Sequence, residues 1–182
     1  KGSWFLPFNQ GWNDGAGNPP NPDGLKTDYL WKHVLTRDGL TDILENYAQV
    51  VETKDEKTRR KKAVQIWPRF HQLDVVRRLL ADAREGGAGR RYLIQHSAGS
   101  GKSNSIAWLA HQLIGLEKDE ATVFDSIIVV TDRRILDQQI KDTIKQFAQV
   151  GATVGHAERS GDLRKFIAEG KKIIISTVQK FP

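Results

Sequence analysis

The stretch Arg91-Tyr92-Leu93-Ile94-Gln95-His96-Ser97-Ala98-Gly99-Ser100-Gly101-Lys102-Ser103 decides how the rest of the chain is read. Arg91 to Gln95 has the residue types of a short strand. His96 to Gly101 is a loop of small residues, and its glycines permit positive φ. From Lys102 to Leu116 the apolar residues Ile106, Leu109, Ala110, Leu113 and Ile114 recur at helical spacing, which predicts an amphipathic helix with these residues inward. A strand, a glycine loop and a helix in that order make a phosphate cradle. The glycines let backbone approach an anion closely, and the N–H groups of the first helical turn point at it. Lys102 is then the cation for the β/γ-phosphates, and the Ser103 hydroxyl is the Mg²⁺ ligand. Ser97, Ala98, Gly99, Ser100, Gly101, Lys102 and Ser103 are therefore expected to bind ATP and Mg²⁺. Lys102 and Ser103 are the expected catalytic pair.

The strict pattern G-x-x-x-x-G-K-[ST] has Gly where this chain has His96. A chance Gly/Ser turn is the competing reading, and the flanking strand and helix patterns weigh against it. His96 itself reads as a loop packing or hydrogen-bond residue rather than a catalyst.

Downstream, the apolar run Ser126 to Thr131 predicts a strand buried on both faces, as in parallel sheets. A helix over Arg133 to Gln149 follows, with Leu136, Ile140, Ile144 and Phe147 inward. Then come a weaker strand at Ala152 to Val154, a short helix at Asp162 to Ala168, and a buried strand at Lys172 to Ser176. Alternating strands and helices predict an α/β fold with a parallel, doubly wound sheet. Thr131, Arg133 and Arg134 follow one strand, and Thr177 and Lys180 follow another. They lie at the carboxyl edge of such a sheet, where ligands bind. Arg133 and Lys180 are candidate phosphate contacts, and Thr131 and Thr177 candidate hydroxyl donors to a nucleic-acid backbone. An N-cap role for Asp132 and solvated cations elsewhere are the plainer alternatives.

Upstream, a helix is expected from Pro68, with Phe70, Leu73, Val76, Leu80 and Ala83 inward and Gly86-Gly87-Ala88-Gly89 at its end. Gln72 lies 30 residues before Lys102. Its amide can pair with both N6 and N7 of adenine, and Phe70 or Trp67 could stack on the ring. Residues 25–66 predict a helix start at Thr27 or Asp28 and a second helix from Thr41 to Val51 with Ile43, Leu44, Tyr47 and Val50/Val51 on its apolar face. A charged linker from Glu52 to Lys62 follows, in which Arg59-Arg60-Lys61-Lys62 reads as an exposed basic turn. The letters Glu52-Thr53-Lys54 match E-x-K, but no convincing upstream Asp accompanies them, so they read as a chance match. The apolar patch Trp4-Phe5-Leu6-Pro7-Phe8 leads into Asn9 to Gly24, which is dense in turn residues.

The 182 residues carry 28 basic and 22 acidic side chains, net +6. The first 66 hold 10 and 9, net +1, and the remaining 116 hold 18 and 13, net +5. That excess favours polyanionic partners. Cysteine is absent, which excludes disulfides and thiolate metal sites and suits a cytoplasmic protein. No apolar run approaches the roughly 18 residues of a membrane span, so no membrane partner is expected. Lys1 in place of Met, and Pro182 soon after an apolar strand, read as the ends of a piece of a longer protein.

Taken together, residues 67–182 resemble motifs Q, I, Ia and Ib/Ic of superfamily 2 helicases, with Gly99-Ser100-Gly101-Lys102-Ser103 matching A-x-x-G-x-G-K-[ST] apart from His96. The wording of Trp67 to Gln72, Gln95 to Ser103, Ile127 to Gln139 and Ile173 to Phe181 is closer still to the R (restriction/translocase) subunit of type I restriction-modification enzymes. Trp4 to Gly24, Asp28 to Trp31 and Leu35 to Asp38 also resemble the segment that joins nuclease and motor in that subunit. The resemblance implies that residues 67–182 are the first part of an incomplete RecA-like P-loop motor, and residues 1–66 a connecting segment behind a PD-(D/E)xK nuclease. It implies ATP-driven translocation of double-stranded DNA before cleavage, together with methylation and specificity subunits. Walker B and a second RecA-like domain would lie beyond Pro182. Another superfamily 2 motor acting on DNA or RNA, or a non-motor P-loop protein such as a kinase, is the alternative.

Overall fold

The computed structural model describes residues 8–13, 17–54, 61–132, 134–147 and 154–181. Trp4 to Pro7, Arg59, Arg60, Arg133, the end of the helix expected to Gln149, and Ala152 and Thr153 lie outside them. The chain forms two compact units, residues 1–74 and 75–182. Among the described residues no helix is long and apolar enough to cross a membrane.

In the first unit the chain turns helical at Asp28 and continues as one π-helical turn, Leu30–Val34. Helix α1 spans Arg37–Asn46. Its N-cap is Thr36, whose Oγ1 accepts the Gly39 N–H at 3.1 Å. Ile43 and Tyr47 are buried, whereas Leu44 is exposed. The helix expected from Thr41 to Val51 is thus corrected. It ends at Asn46, and Gln49–Lys54 forms strand β1, antiparallel to β2 (Lys61–Ile66) with Val51 opposite Val64. β-Branched Val50, Val51 and Thr53 favour the pleated conformation once a partner strand exists, and helical spacing alone cannot register that partner. The expected charged linker is also corrected, because both of its ends are strand. Glu52 pairs with Lys61 at 2.8 Å, and the hydrogen bond from Lys61 holds its carboxyl below the usual value. The E-x-K letters therefore fall within β1.

Tyr29 donates its hydroxyl to the Phe8 carbonyl. The Phe70 ring meets Phe8 and Tyr29 edge-on at 5.6 and 5.2 Å. Phe70 begins helix α2 (Phe70–Gly86), which runs into the second unit.

The second unit continues with α3 (Lys102–Ile114), a short hairpin of β3 (Glu117–Lys118) and β4 (Ala121–Thr122), β5 (Ile127–Thr131), α4 (Arg134–Gln146), β6 (Val154–His156), α5 (Ser160–Ala168) and β7 (Ile173–Thr177), which leads into a 3₁₀ turn, Val178–Lys180. The β3–β4 hairpin is unexpected. Its turn residues Asp119 and Glu120 hold φ of 51° and 64°, a conformation usually carried by Asn-Gly or Asp-Gly.

The sheet runs β5-β7-β6, all parallel, with β7 central. Ile173, Ile174 and Ile175 are fully buried. Ile174 packs with Ala157, Leu163 and Phe166, which places α5 on that face. Successive side chains alternate across a sheet, so Ile173 and Ile175 point the other way. α3 and α4 also contact β7. Helices on both faces of a parallel sheet make this the doubly wound α/β arrangement expected.

Three details differ from expectation. Residues 91–97 pair with no strand among the described residues, and Leu93 is 94% exposed. Strand propensity without a lateral partner leaves the segment outside any sheet. In β5, Ile128 and Val130 are 41% and 46% exposed, so its outer face is open rather than buried. In α3 the buried side chains are Ser105, Ala107, Trp108 and Ala110, whereas Ile106, Leu109, Leu113 and Ile114 are half-buried. The helix is rotated toward α4, where the Trp108 and Phe147 rings lie 5.4 Å apart. Ile140 and Ile144 of α4 and Phe147 just after it are buried as expected, and the Leu136 side chain lies outside the described residues.

Candidate nucleotide and nucleic-acid site

The loop before α3 is shaped by two glycines in the left-handed region, Gly99 at φ +73° and Gly101 at φ +80°. Glycine adopts this region without the penalty a side chain brings. Between them the Ser100 N–H donates to the Ser97 carbonyl at 3.4 Å and closes a turn. Gly101 is the N-cap of α3, and its carbonyl accepts the Asn104 N–H at 3.0 Å. Ser97, Ala98 and Gly99 are exposed and Ser100 is buried.

Lys102 is the first residue of α3, and the first turn carries no acidic side chain. A cation at the positive end of a helix dipole is electrostatically unfavourable, so this arrangement does nothing for the helix itself. It concentrates positive potential at the loop, as an anion site requires. The exposed Lys102 ammonium curls back over the loop and donates to the Ser97 and His96 carbonyls at 2.8 and 3.3 Å. Ser103, half-buried, follows in the first turn. These residues fit a nucleoside triphosphate. Loop N–H groups and Lys102 would take the phosphate charge, and the Ser103 hydroxyl would hold Mg²⁺. ATP would supply the phosphoanhydride bond, and these residues would supply the electrostatic cradle around its phosphates. Among the described residues no cluster of three or more His, Asp or Glu is placed to hold a metal ion.

His96 and Lys102 also line a cavity of about 170 Å³ with Val76, Ile94, Ser105 and Ile106. His96 is thus a packing residue as well as a loop carbonyl.

Gln72 is buried in the first unit. Its Oε1 accepts the Arg69 N–H at 2.9 Å, just ahead of α2. A Gln at the third helical position reaching back to the cap N–H is half of a capping box, a structural role that local sequence already permitted. Trp67 is exposed, and the Phe70 ring is engaged by Phe8 and Tyr29.

At the carboxyl edge of the sheet the parallel register sets Thr131 opposite Thr177. The structure therefore brings these two sequence-predicted residues together. Their side chains are 7% and 4% exposed, so the accessible surface there belongs to Asp132, Val178 and Gln179 instead. Arg134 opens α4, and Arg133 is outside the described residues. Lys180 donates to the Glu158 carbonyl, and Gln179 donates through Nε2 to the Asp132 carbonyl at 3.2 Å. Asp162 accepts the Glu158 and Arg159 N–H groups at 3.0 and 2.8 Å. The bond from Arg159, aided by that from Glu158, holds the Asp162 carboxyl below its usual range. Sequence reasoning singled out neither Gln179 nor Asp162. Gln179 has no local signal, because its partner lies 47 residues away. Asp162 had one: an acidic residue in the first turn of a short helix.

Residues 71–182 match the family model of the SWI2/SNF2 ATPase. No curated protein and no solved structure matches the chain.

Proposed function

The chain belongs to the SWI2/SNF2 ATPase family of helicase-like motors, and we propose that its ATP hydrolysis drives movement along double-stranded DNA, as in the R subunit of type I restriction enzymes. The observation that carries the ATP site is Lys102 at the uncompensated positive end of α3, behind two left-handed glycines. The DNA reading is supported by the adjacent strand ends at Thr131 and Thr177 and by the net +5 of residues 67–182. The restriction reading is supported by the wording of Trp67 to Gln72, Gln95 to Ser103, Ile127 to Gln139 and Ile173 to Phe181. In that reading the turns carrying Thr131, Arg133, Arg134 and Thr177 face the DNA backbone. The whole protein is then an ATP-dependent type I deoxyribonuclease that works with methylation and specificity subunits.

The test is ATP turnover by the full-length protein with and without long linear duplex DNA. Duplex DNA is expected to raise turnover, and Lys102→Ala to lower it by on the order of 10²-fold or more. Turnover indifferent to DNA, or unchanged without Lys102, would sink the proposal. Stimulation by RNA alone would select another superfamily 2 motor, and a phosphorylated small-molecule product would select a kinase.

A further inference from the structure

The turns at the carboxyl edge of the sheet are tied together by side chains that the nucleotide site does not use. After β6, Asp162 gathers the Glu158 and Arg159 N–H groups, and the Ala157 N–H donates to the Ile175 carbonyl at 2.9 Å. The Lys180 ammonium then reaches the Glu158 carbonyl from the turn after β7. From that same turn Gln179 reaches the Asp132 carbonyl, after β5, at 3.2 Å. The residues between Thr177 and Phe181 are therefore strapped to a neighbour on each side, next to the Thr131–Thr177 pair.

We propose that Gln179 and Lys180 are positioning residues that lock the turns after β5, β6 and β7 into one edge, through which DNA binding is coupled to ATP hydrolysis. The coupling half of this proposal rests on the duplex-DNA reading above. A lysine in a basic chain is ordinarily taken for a phosphate contact. Here the ammonium has a backbone carbonyl as its partner. Gln179 carries no charge for a polyanion, and its amide donor serves the edge itself.

The full-length protein and a linear duplex test the assignment. Losing one phosphate contact reduces the slope of log K against log salt by about 0.9. Lys180→Met and Lys180→Gln are both expected to keep the wild-type slope. Gln retains a donor without the charge, so Lys180→Gln should keep more DNA-stimulated turnover than Lys180→Met. A slope reduced by about 0.9 in both variants would overturn the assignment and make Lys180 a phosphate contact. Gln179→Ala should raise the DNA concentration for half-maximal stimulation about fivefold, the size of one neutral hydrogen bond, and leave DNA-free turnover unchanged. An unaltered DNA dependence would overturn it. Hydrogen exchange reads the lock without DNA: both Gln179→Ala and Lys180→Met should speed exchange at residues 131–132, 157–159 and 178–181 together. Faster exchange confined to 178–181, or none, would remove the lock. A wild-type protein unresponsive to DNA would defeat the motor reading separately, and the exchange result would still decide the lock.

Discussion

β5 and β7 are nearly the same sentence in sequence, Ile-Ile-Val-Val-Thr against Ile-Ile-Ile-Ser-Thr, and both are five residues long. In the fold they live differently. β7 is the central strand, buried at every position. β5 is an edge among the described strands and leaves Ile128 and Val130 open on one face. Apolar, β-branched composition makes both of them strands. Only their place in the order β5-β7-β6 decides how much of that apolar surface leaves water, and hence how much each stabilises the unit.

The largest expected effect tests that inequality directly. Ile174→Ala removes a fully buried side chain packed on Leu163 and should cost about 2–5 kcal/mol in denaturant unfolding of the 182-residue chain. Val130→Ala on the open face of β5 should cost less than about 1 kcal/mol. Equal losses would break the comparison. Next comes the β6 side of β7. A Cβ at Gly155 would lie 2.8 Å from the Phe166 ring, so Gly155→Ala should cost about 1–3 kcal/mol by overpacking. A neutral result would show that Phe166 yields and that the α5 face of the sheet is loosely packed. Charge sharpens the contrast: Val130→Lys should leave the far-ultraviolet circular dichroism and melting temperature close to wild type, whereas Ile175→Lys should abolish cooperative melting. The smallest effect concerns the α5 cap. Asp162 is held below its usual pKa of 3.8 by backbone N–H bonds from Arg159 and Glu158. A folded value below the unfolded one means its contribution is present above pH 3.8 and fades as pH falls below it. Asp162→Ala should therefore melt lower than wild type at neutral pH, with the gap closing under acid. A gap independent of pH would assign the loss to packing instead.

Legibility followed the range of the interactions. The loop from His96 to Ser103 could be read directly, because a positive φ at Gly99 and Gly101 and a helix beginning at Lys102 are matters of neighbouring residues. The later strands and helices were legible for the same reason, and β5 through β7 fall within a few residues of where periodicity puts them. The region from Thr41 to Ile66 was misread because Val50 and Val51 satisfy a helical face locally. Their partners Gln65 and Val64 become relevant only when β2 pairs with β1. The Trp108 face of α3 was missed because its spacing allows more than one inward stripe, and the Phe147 contact selects one of them.

Local sequence is enough for a glycine loop with a lysine at a helix start, and for the alternation of strands and helices behind it. Each of those follows from backbone preferences and dipoles that act within a few residues. What local preference leaves open is that β7 is central and β5 is open, and that Gln179 and Lys180 bridge neighbouring turns. Those depend on groups brought together from 22 to 47 residues apart, or on which side of a strand a neighbour lies. No local preference encodes such partners until the chain has folded around them.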